Sequence, residues 1–140
     1  MRLLARREHA AGELASKLVR RGFERAAADA EIARLAREGL QSDERFAELF
    51  VEQRAARGDG PLKIRAALDE RGVASERSDA ALAPYDDEWS SRAREALQGR
   101  FGGEAPASRR ERARRARFLQ SRGFPGSIVA RVTGEEQGAD

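Results

Sequence analysis

Cysteine is absent from the 140-residue chain, and histidine occurs once, as His9. Without cysteine there is no disulfide and no thiolate to act as a nucleophile or metal ligand. The histidine has no accompanying set of spaced Asp and Glu ligands, and neither a phosphate-binding glycine-lysine motif nor a dinucleotide fingerprint occurs. The sequence therefore argues against an enzyme, a metal site or a cofactor, and we expect His9 to be a helix-boundary or surface residue.

Long apolar stretches are also missing. No run approaches the roughly 18 residues of a membrane span, and the N-terminus lacks a signal-like apolar segment. Aromatic residues make up only 6% of the chain and charged residues 36%, so helices of this composition bury thin seams of alanine and leucine instead of one thick core. These features predict an elongated cytoplasmic protein without membrane contact, and we expect a monomer.

What the chain does have is a repeated Arg-Gly-hydrophobic triplet, at residues 21–23, 71–73 and 122–124. A leucine stands three positions before each triplet arginine, within a helix-forming run. Glycine behind a basic residue is typical of a helix end, because glycine adopts positive φ without penalty and arginine suits the negative end. We predict that the leucines belong to the core and that the glycines are structural. Replacing any of these glycines by valine should lower stability, because valine disfavours positive φ. The residues concerned are Leu18, Leu68, Leu119, Gly22, Gly72 and Gly123.

Three copies of one motif predict an all-α fold of three tandem three-helix repeats. Repeat one covers residues 1–40, repeat two 41–85 and repeat three 86–133, and we expect the polar tail at 134–140 to be disordered. The spacing predicts nine helices. The first, at residues 2–8, is so short that it suggests a truncated N-terminus.

Acidic segments at 42–44 and 86–88 are predicted to open the first helices of repeats two and three, with Phe46 and Trp89 as equivalent core anchors. Asp86 and Asp87 could hold a magnesium ion, but carboxylates at a helix start usually cap it. Gly60 and Pro61 are predicted to form the turn before the second helix of repeat two, since proline at the first helical position has no N–H to leave unpaired.

Basic residues cluster towards both ends of the chain. Residues 100–122 contain eight arginines and two glutamates, whereas residues 29–52 contain seven acidic and three basic side chains. Arg110, Arg114 and Arg117 occur at i, i+4 and i+7, so they line one stripe of a predicted helix. We name these three residues the arginine ridge. They are predicted to contact DNA phosphates or an acidic partner, and a solvated helix face is the alternative.

Other basic residues are weaker candidates for the same contacts. Arg6, Arg7, Arg20 and Arg21 can form a second basic patch, and Arg115 lies within the arginine-rich helix. Lys63 and Arg65 follow the turn at Gly60, where a helix N-terminus suits an anion. We expect the arginines of the three triplets to complete helix ends and not to bind a ligand.

The stretch from Gly58 to Arg65, with Leu68 and the triplet at 71–73, resembles the RecX family of bacterial RecA regulators. Further matches follow the same order and extend the resemblance over nearly the whole chain: Arg7-Glu8-His9, Glu13-Leu14, 21–23, Gly39-Leu40, 42–47 and 122–124. Two positions depart from the family pattern. Ala10 replaces a frequent capping serine, at an expected cost of about 1 kcal/mol, and Asp59 replaces an aromatic or basic residue, which puts a phosphate contact at that loop in doubt.

The resemblance implies a crescent of three-helix modules that lies in the groove of a RecA–DNA filament and represses ATP hydrolysis, strand exchange and coprotease activity. From the arginine ridge we also expect weaker binding of single- or double-stranded DNA through backbone contacts. Two other functions remain open: a helix-turn-helix-like DNA-binding regulator, and a helical scaffold for an acidic protein. The first needs a base-reading helix, for which a chain without asparagine and with few glutamines is poorly equipped.

Overall fold

The computed structural model describes residues 8–137, apart from the side chains of residues 136 and 137. All regular secondary structure in this range is helical, which confirms the all-α prediction. The predicted helix at residues 2–8 lies, except for Glu8, outside the described residues. The helices are α1 (Ala11–Arg20), α2 (Arg25–Arg37), α3 (Asp43–Ala56), α4 (Pro61–Glu70), α5 (Ser75–Leu82), α6 (Trp89–Phe101), α7 (Arg109–Ser121) and α8 (Gly126–Gln137), with a 3-10 turn at Ala83–Tyr85.

The chain divides into two compact units that do not coincide with the three sequence repeats. One unit contains the described residues up to Val51 together with Ala66–Leu82, and the other contains Glu52–Arg65 together with the described residues from Ala83. Repeat two is thus shared between the units. The predicted core anchors are buried in both: Leu18, Leu68 and Phe46 in the first, and Trp89 and Leu119 in the second.

All three triplets end their helices in the same way. The N–H of the third triplet residue donates to the carbonyl of the predicted core leucine, at 3.1 Å in each repeat. Gly22, Gly72 and Gly123 have φ of 101°, 77° and 93°. This is the Schellman arrangement, in which a left-handed residue lets the chain turn back and satisfy the last helical carbonyls. The prediction that each triplet ends a helix is confirmed.

The hydrophobic residue of the triplet is not equivalent in the three repeats. Val73 and Phe124 are buried, and Phe124 packs edge-on against Trp89 with ring centroids 6.5 Å apart. Phe23, in contrast, is 52% exposed. The same local motif therefore has different surroundings in the first repeat.

Two triplets also contact the start of a helix in the preceding repeat, which sequence analysis did not predict. Gly60 donates its N–H to the Arg122 carbonyl at 2.6 Å, and Leu62 donates to the Gly123 carbonyl at 2.9 Å. A Cβ on Gly60 would lie 2.5 Å from the Gly123 carbonyl carbon, so only glycine permits this approach. We name this contact the second joint. The Arg122 and Gly123 carbonyls thus accept hydrogen bonds from N–H groups at the start of α4, which have no acceptor within the helix.

The first joint is similar and lies in the other unit. A Cβ on Gly12, in the first turn of α1, would lie 2.5 Å from the Arg71 carbonyl oxygen. The triplet therefore has two roles. It ends its own helix, and in repeats two and three its carbonyl groups also lie against a helix start of the preceding repeat.

Two local predictions need correction. Asp86 and Asp87 do not begin a helix. They lie in a turn in which the Asp86 N–H donates to the Ala83 carbonyl and the Glu88 N–H donates to the Tyr85 carbonyl, and α6 begins only at Trp89.

The second correction concerns the tail at 134–140, which is predicted to be disordered, whereas α8 continues to Gln137. Glu135 accepts two hydrogen bonds from Arg94, at 2.7 and 2.8 Å, and these attach the last turns of α8 to α6.

An acidic residue from another part of the chain satisfies one N–H group at the start of α1, where Ala10 provides no side-chain cap. The Asp43 carboxylate accepts a hydrogen bond from the Ala11 N–H at 2.8 Å, and Glu13 accepts from the Ala10 N–H at 3.1 Å. Both acceptors satisfy N–H groups that have no partner within α1. The side-chain cap at residue 10 itself is absent, as predicted, and Asp43 instead satisfies the N–H of the first helical residue.

We expect Asp43→Ala to lower the free energy of unfolding by about 1 kcal/mol, the usual value of an N-terminal cap. Asp43→Asn, which keeps an acceptor oxygen, should retain most of the stability. Urea denaturation followed by circular dichroism measures both variants. Equal stability of Asp43→Ala and the parent chain would contradict the capping role.

Candidate functional site

The arginine ridge lies on the exposed side of α7. Ser108 caps this helix by accepting the Glu111 N–H at 3.1 Å. Arg110, Arg114 and Arg117 are all exposed. Arg114 lies 3.8 Å from Glu111 and over the Phe101 ring, 5.5 Å from its centroid, whereas Arg110 and Arg117 make no ion pair with a described residue. Most of the positive charge of the ridge thus faces solvent.

Arg115 is not a surface residue, which corrects its place among the contact candidates. It is 4% exposed, and its guanidinium donates to the Glu104 carbonyl at 3.0 Å and to Glu111 at 3.5 Å. The same group lies 5.1 Å from the Phe101 ring centroid. A buried arginine with these partners stabilises the fold and is unavailable to a ligand.

The basic residues around α4 are largely neutralised. Asp59 is 2% exposed, and its carboxylate lies 3.5 Å from Lys63 and 3.7 Å from Arg54. Arg65 is half-buried and engaged in contacts of its own. Because Asp59 offsets the charge of Lys63, this helix start is a poor anion site.

At the other end of the chain, Arg20 and Arg21 are exposed. The Nε of Arg20 lies 3.4 Å from the Ser16 carbonyl. Arg6 and Arg7 lie outside the described residues, so the second basic patch stays a prediction.

The triplet arginines differ between the two joints. At the first joint Arg71 donates to the Ala67 carbonyl at 2.8 Å, lies 4.0 Å from Glu13, and stacks 4.9 Å from the Phe50 ring centroid. Arg71 thus completes a helix end, as predicted. At the second joint Arg122 stacks over Phe118 at 5.3 Å and borders an open cleft.

This cleft, of about 230 Å³, is a feature that sequence analysis missed. Its charged lining consists of Arg57, Arg100 and Arg122, and Gly58 and Gly99 also border it. We name it the arginine cleft. Its three arginines come from three separate parts of the sequence, so helical periodicity within one segment could not have grouped them.

A larger cavity, of about 350 Å³, lies between α6 and α8. The Arg94–Glu135 pair lines it, so its charge is balanced. Hydrogen bonds from the Arg94 guanidinium lower the pKa of the Glu135 carboxyl, and the same contact raises the pKa of Arg94. Neither group is therefore poised to exchange a proton near neutral pH.

His9 is positioned for structure. It lies two residues before the first residue of α1, as predicted for a helix-boundary residue, but it is 2% exposed and not on the surface. Its Nε2 lies 3.2 Å from the Lys17 ammonium, and its carbonyl accepts from Gln41. Between residues 8 and 137, no cluster of three or more His, Cys, Asp and Glu residues has a geometry for metal binding, and no helix is long and apolar enough to cross a membrane.

Comparison with known families accounts for nearly the entire chain. Residues 1–35 match the model described as RecX, first three-helix domain, and residues 42–82 and 86–133 match those of the second and third domains. The chain belongs to the RecX family. It is thus a member of a family of regulatory proteins and not of an enzyme family.

Individual relatives are similar over most of their length. "Regulatory protein RecX" of Halorhodospira halophila is 48% identical over 92% of this chain and 80% of its own length. The RecX protein of Pseudomonas putida is 43% identical over 94% of this chain and 85% of its own. The crystal structure of RecX from Lactobacillus salivarius has a TM-score of 0.80 at 20% identity, covering 97% and 90% of the two chains, and thus shares the fold.

Proposed function

We propose that this RecX-family chain binds a RecA–DNA filament and represses its ATP hydrolysis, strand exchange and coprotease activity. The match to all three RecX domains carries this proposal. A helical protein without a catalytic group can act in this way by differential binding. It shifts the filament between states only as far as it binds one state more tightly than another.

The arginine ridge is the contact surface that we propose for this interaction. Its guanidinium groups are exposed on one face of α7. This helix is capped by Ser108 and packed through its buried residues, so the spacing of the three arginines along it is fixed. Arginine binds phosphate and carboxylate oxygens through paired hydrogen bonds, so both DNA and an acidic protein surface fit the ridge. Glu111 meets part of the charge of Arg114, so Arg110 and Arg117 carry most of the contact.

The decisive test is hydrolysis of ATP by the RecA of the same bacterium on single-stranded DNA, titrated with this chain. We expect repression at protein concentrations below that of RecA. An Arg110→Ala, Arg114→Ala, Arg117→Ala variant should require about tenfold more protein, since three exposed contacts of roughly 0.5 kcal/mol each correspond to that factor.

A matched variant controls for net charge. Arg25→Ala, Arg37→Ala, Arg77→Ala removes the same number of charges from exposed positions on α2 and α5. It should repress like the parent chain, and circular dichroism verifies the folding of both variants. Equal loss in the two variants would remove the ridge from the proposal. No repression by the parent chain would reject the proposed function and favour a DNA-only regulator or a scaffold.

A further inference from the structure

The arginine cleft is built by the second joint. The hydrogen bond from Gly60 N–H to the Arg122 carbonyl holds the end of α7 against the turn that follows α3. Arg57 lies in that turn, and Arg100 lies in the last turn of α6. The fold thus gathers three guanidinium groups at one cleft.

The lining of the cleft has a net positive charge after the partial charges of the helix ends are counted, and the neighbouring Asp59 carboxylate lies beside Lys63 and Arg54. Each of its arginines lies at the C-terminal end of a helix, where the backbone carries roughly −0.5 of an elementary charge. Three such ends offset about half of three full positive charges. No acidic side chain lines the cleft, and none of its arginines makes an ion pair with a carboxylate in the described part of the chain. The positive charge of the three arginines therefore exceeds the negative partial charge of the three helix ends.

The first joint shows the contrast. There the triplet arginine, Arg71, has the Glu13 carboxylate 4.0 Å away. At the second joint Arg122 has Arg57 and Arg100 beside it instead. The triplet arginine of the first joint thus has a carboxylate partner, whereas the second joint has an excess of positive charge around an open space.

Aromatic rings support two of the three cleft arginines. Arg122 stacks over Phe118 at 5.3 Å and thereby covers one face of that ring. Arg100 stacks over Phe101 at 5.2 Å, and Arg114 of the ridge lies over the same ring at 5.5 Å. Aromatic rings thus hold the Arg100 and Arg122 guanidinium groups in place, which lowers the entropic cost of binding. Phe101 also makes the ridge and the cleft adjacent parts of one basic surface.

We propose that the arginine cleft binds a phosphodiester group of a DNA strand whose neighbouring phosphates contact the arginine ridge. This inference rests on the DNA-binding part of the proposed function. A nucleic-acid strand is favoured over a small anion because the positive surface continues from the cleft to α7, and a strand carries a phosphate at every nucleotide.

Gly99 allows the cleft to be changed without disturbing the core. It borders the cleft on α6, and a Cβ added there meets no atom within 4 Å. Gly99→Glu places a carboxylate beside the arginines, and Gly99→Gln places a neutral side chain of the same size. Both residues have higher helix propensity than glycine, so we expect both variants to fold.

The measurement is the fluorescence anisotropy of labelled (dT)20 with the full chain at several salt concentrations, without RecA. We expect Gly99→Glu to weaken binding about tenfold, and its salt slope to fall by about 0.7 for each phosphate that the variant no longer neutralises. Gly99→Gln should stay within about twofold of the parent. Arg57→Gln with Arg100→Gln is a second variant that removes the charge without adding bulk, and it should also weaken binding.

Several results would overturn the inference. Equal weakening by the Glu and Gln variants would indicate an effect of bulk and not of charge, and unchanged binding in all variants would remove the cleft from DNA contact. Pyrophosphate that shifts the Gly58 and Gly99 amide signals in NMR spectra, where (dT)20 does not, would indicate a small-anion site. Because RecA is absent from these assays, their failure is distinguishable from a failure of ATPase repression.

Discussion

Gly123→Ala is expected to lower the free energy of unfolding by about 3–5 kcal/mol, which sums a strained backbone and an overpacked contact. Gly123 has φ of 93°, a region that residues with a Cβ rarely adopt. The added Cβ would also lie 2.6 Å from the Lys63 backbone nitrogen and closer still to its Cβ. The added Cβ therefore prevents the close backbone contact of the second joint.

Gly22→Ala is the matched control. Gly22 has φ of 101°, but a Cβ there meets nothing within 4 Å. Backbone strain alone should cost about 1–2 kcal/mol. Thermal unfolding separates the two variants, because each kilocalorie corresponds to a shift of roughly 2–4 °C in Tm for a chain of this size. If both variants were destabilised equally, the joint would contribute nothing beyond the helix end.

The contrast between these glycines shows which part of the fold could be predicted from the sequence. The helix ends follow from neighbouring residues, since a leucine, an arginine and a glycine at fixed spacing suffice for the Schellman arrangement. The joints depend on which helix start meets each triplet, and Gly12 and Gly60 carry no local sign of it. For the same reason the cap from Asp43 was not predicted: Ala11 and Asp43 are neighbours only in the folded chain.

The residues of the candidate site also differ in whether the sequence alone could predict them. The ridge was predictable as a stripe because all its members lie on one helix, where 3.6 residues per turn determine their directions. The cleft was not, since its arginines lie at the ends of three helices. Arg115 was grouped with the surface arginines because α7 contains few apolar residues and its buried face is difficult to recognise. Its burial depends on Phe101 and on the Glu104 carbonyl, which belong to α6 and the following loop.

Arg115→Ala is therefore expected to act on stability, with a loss of about 3 kcal/mol. The substitution removes a hydrogen bond from a charged donor, worth roughly 1.5–3 kcal/mol, and a cation–π contact worth roughly 0.5–2 kcal/mol. It also removes the packing of the aliphatic stem within a nearly closed site. Arg110→Ala, at an exposed position of the same helix, should change stability by less than about 0.5 kcal/mol.

Arg115→Met distinguishes charge from packing at this position. Methionine replaces the apolar stem but cannot donate to the Glu104 carbonyl, so its stability should lie between those of the parent chain and the alanine variant. Urea denaturation of Arg115→Ala, Arg115→Met and Arg110→Ala provides the comparison. If Arg115→Ala kept the stability of the parent and instead bound DNA more weakly, Arg115 would belong to the contact surface. A large loss of stability for Arg115→Ala, beside a stable Arg110→Ala, would separate the structural arginine of α7 from those that face a ligand.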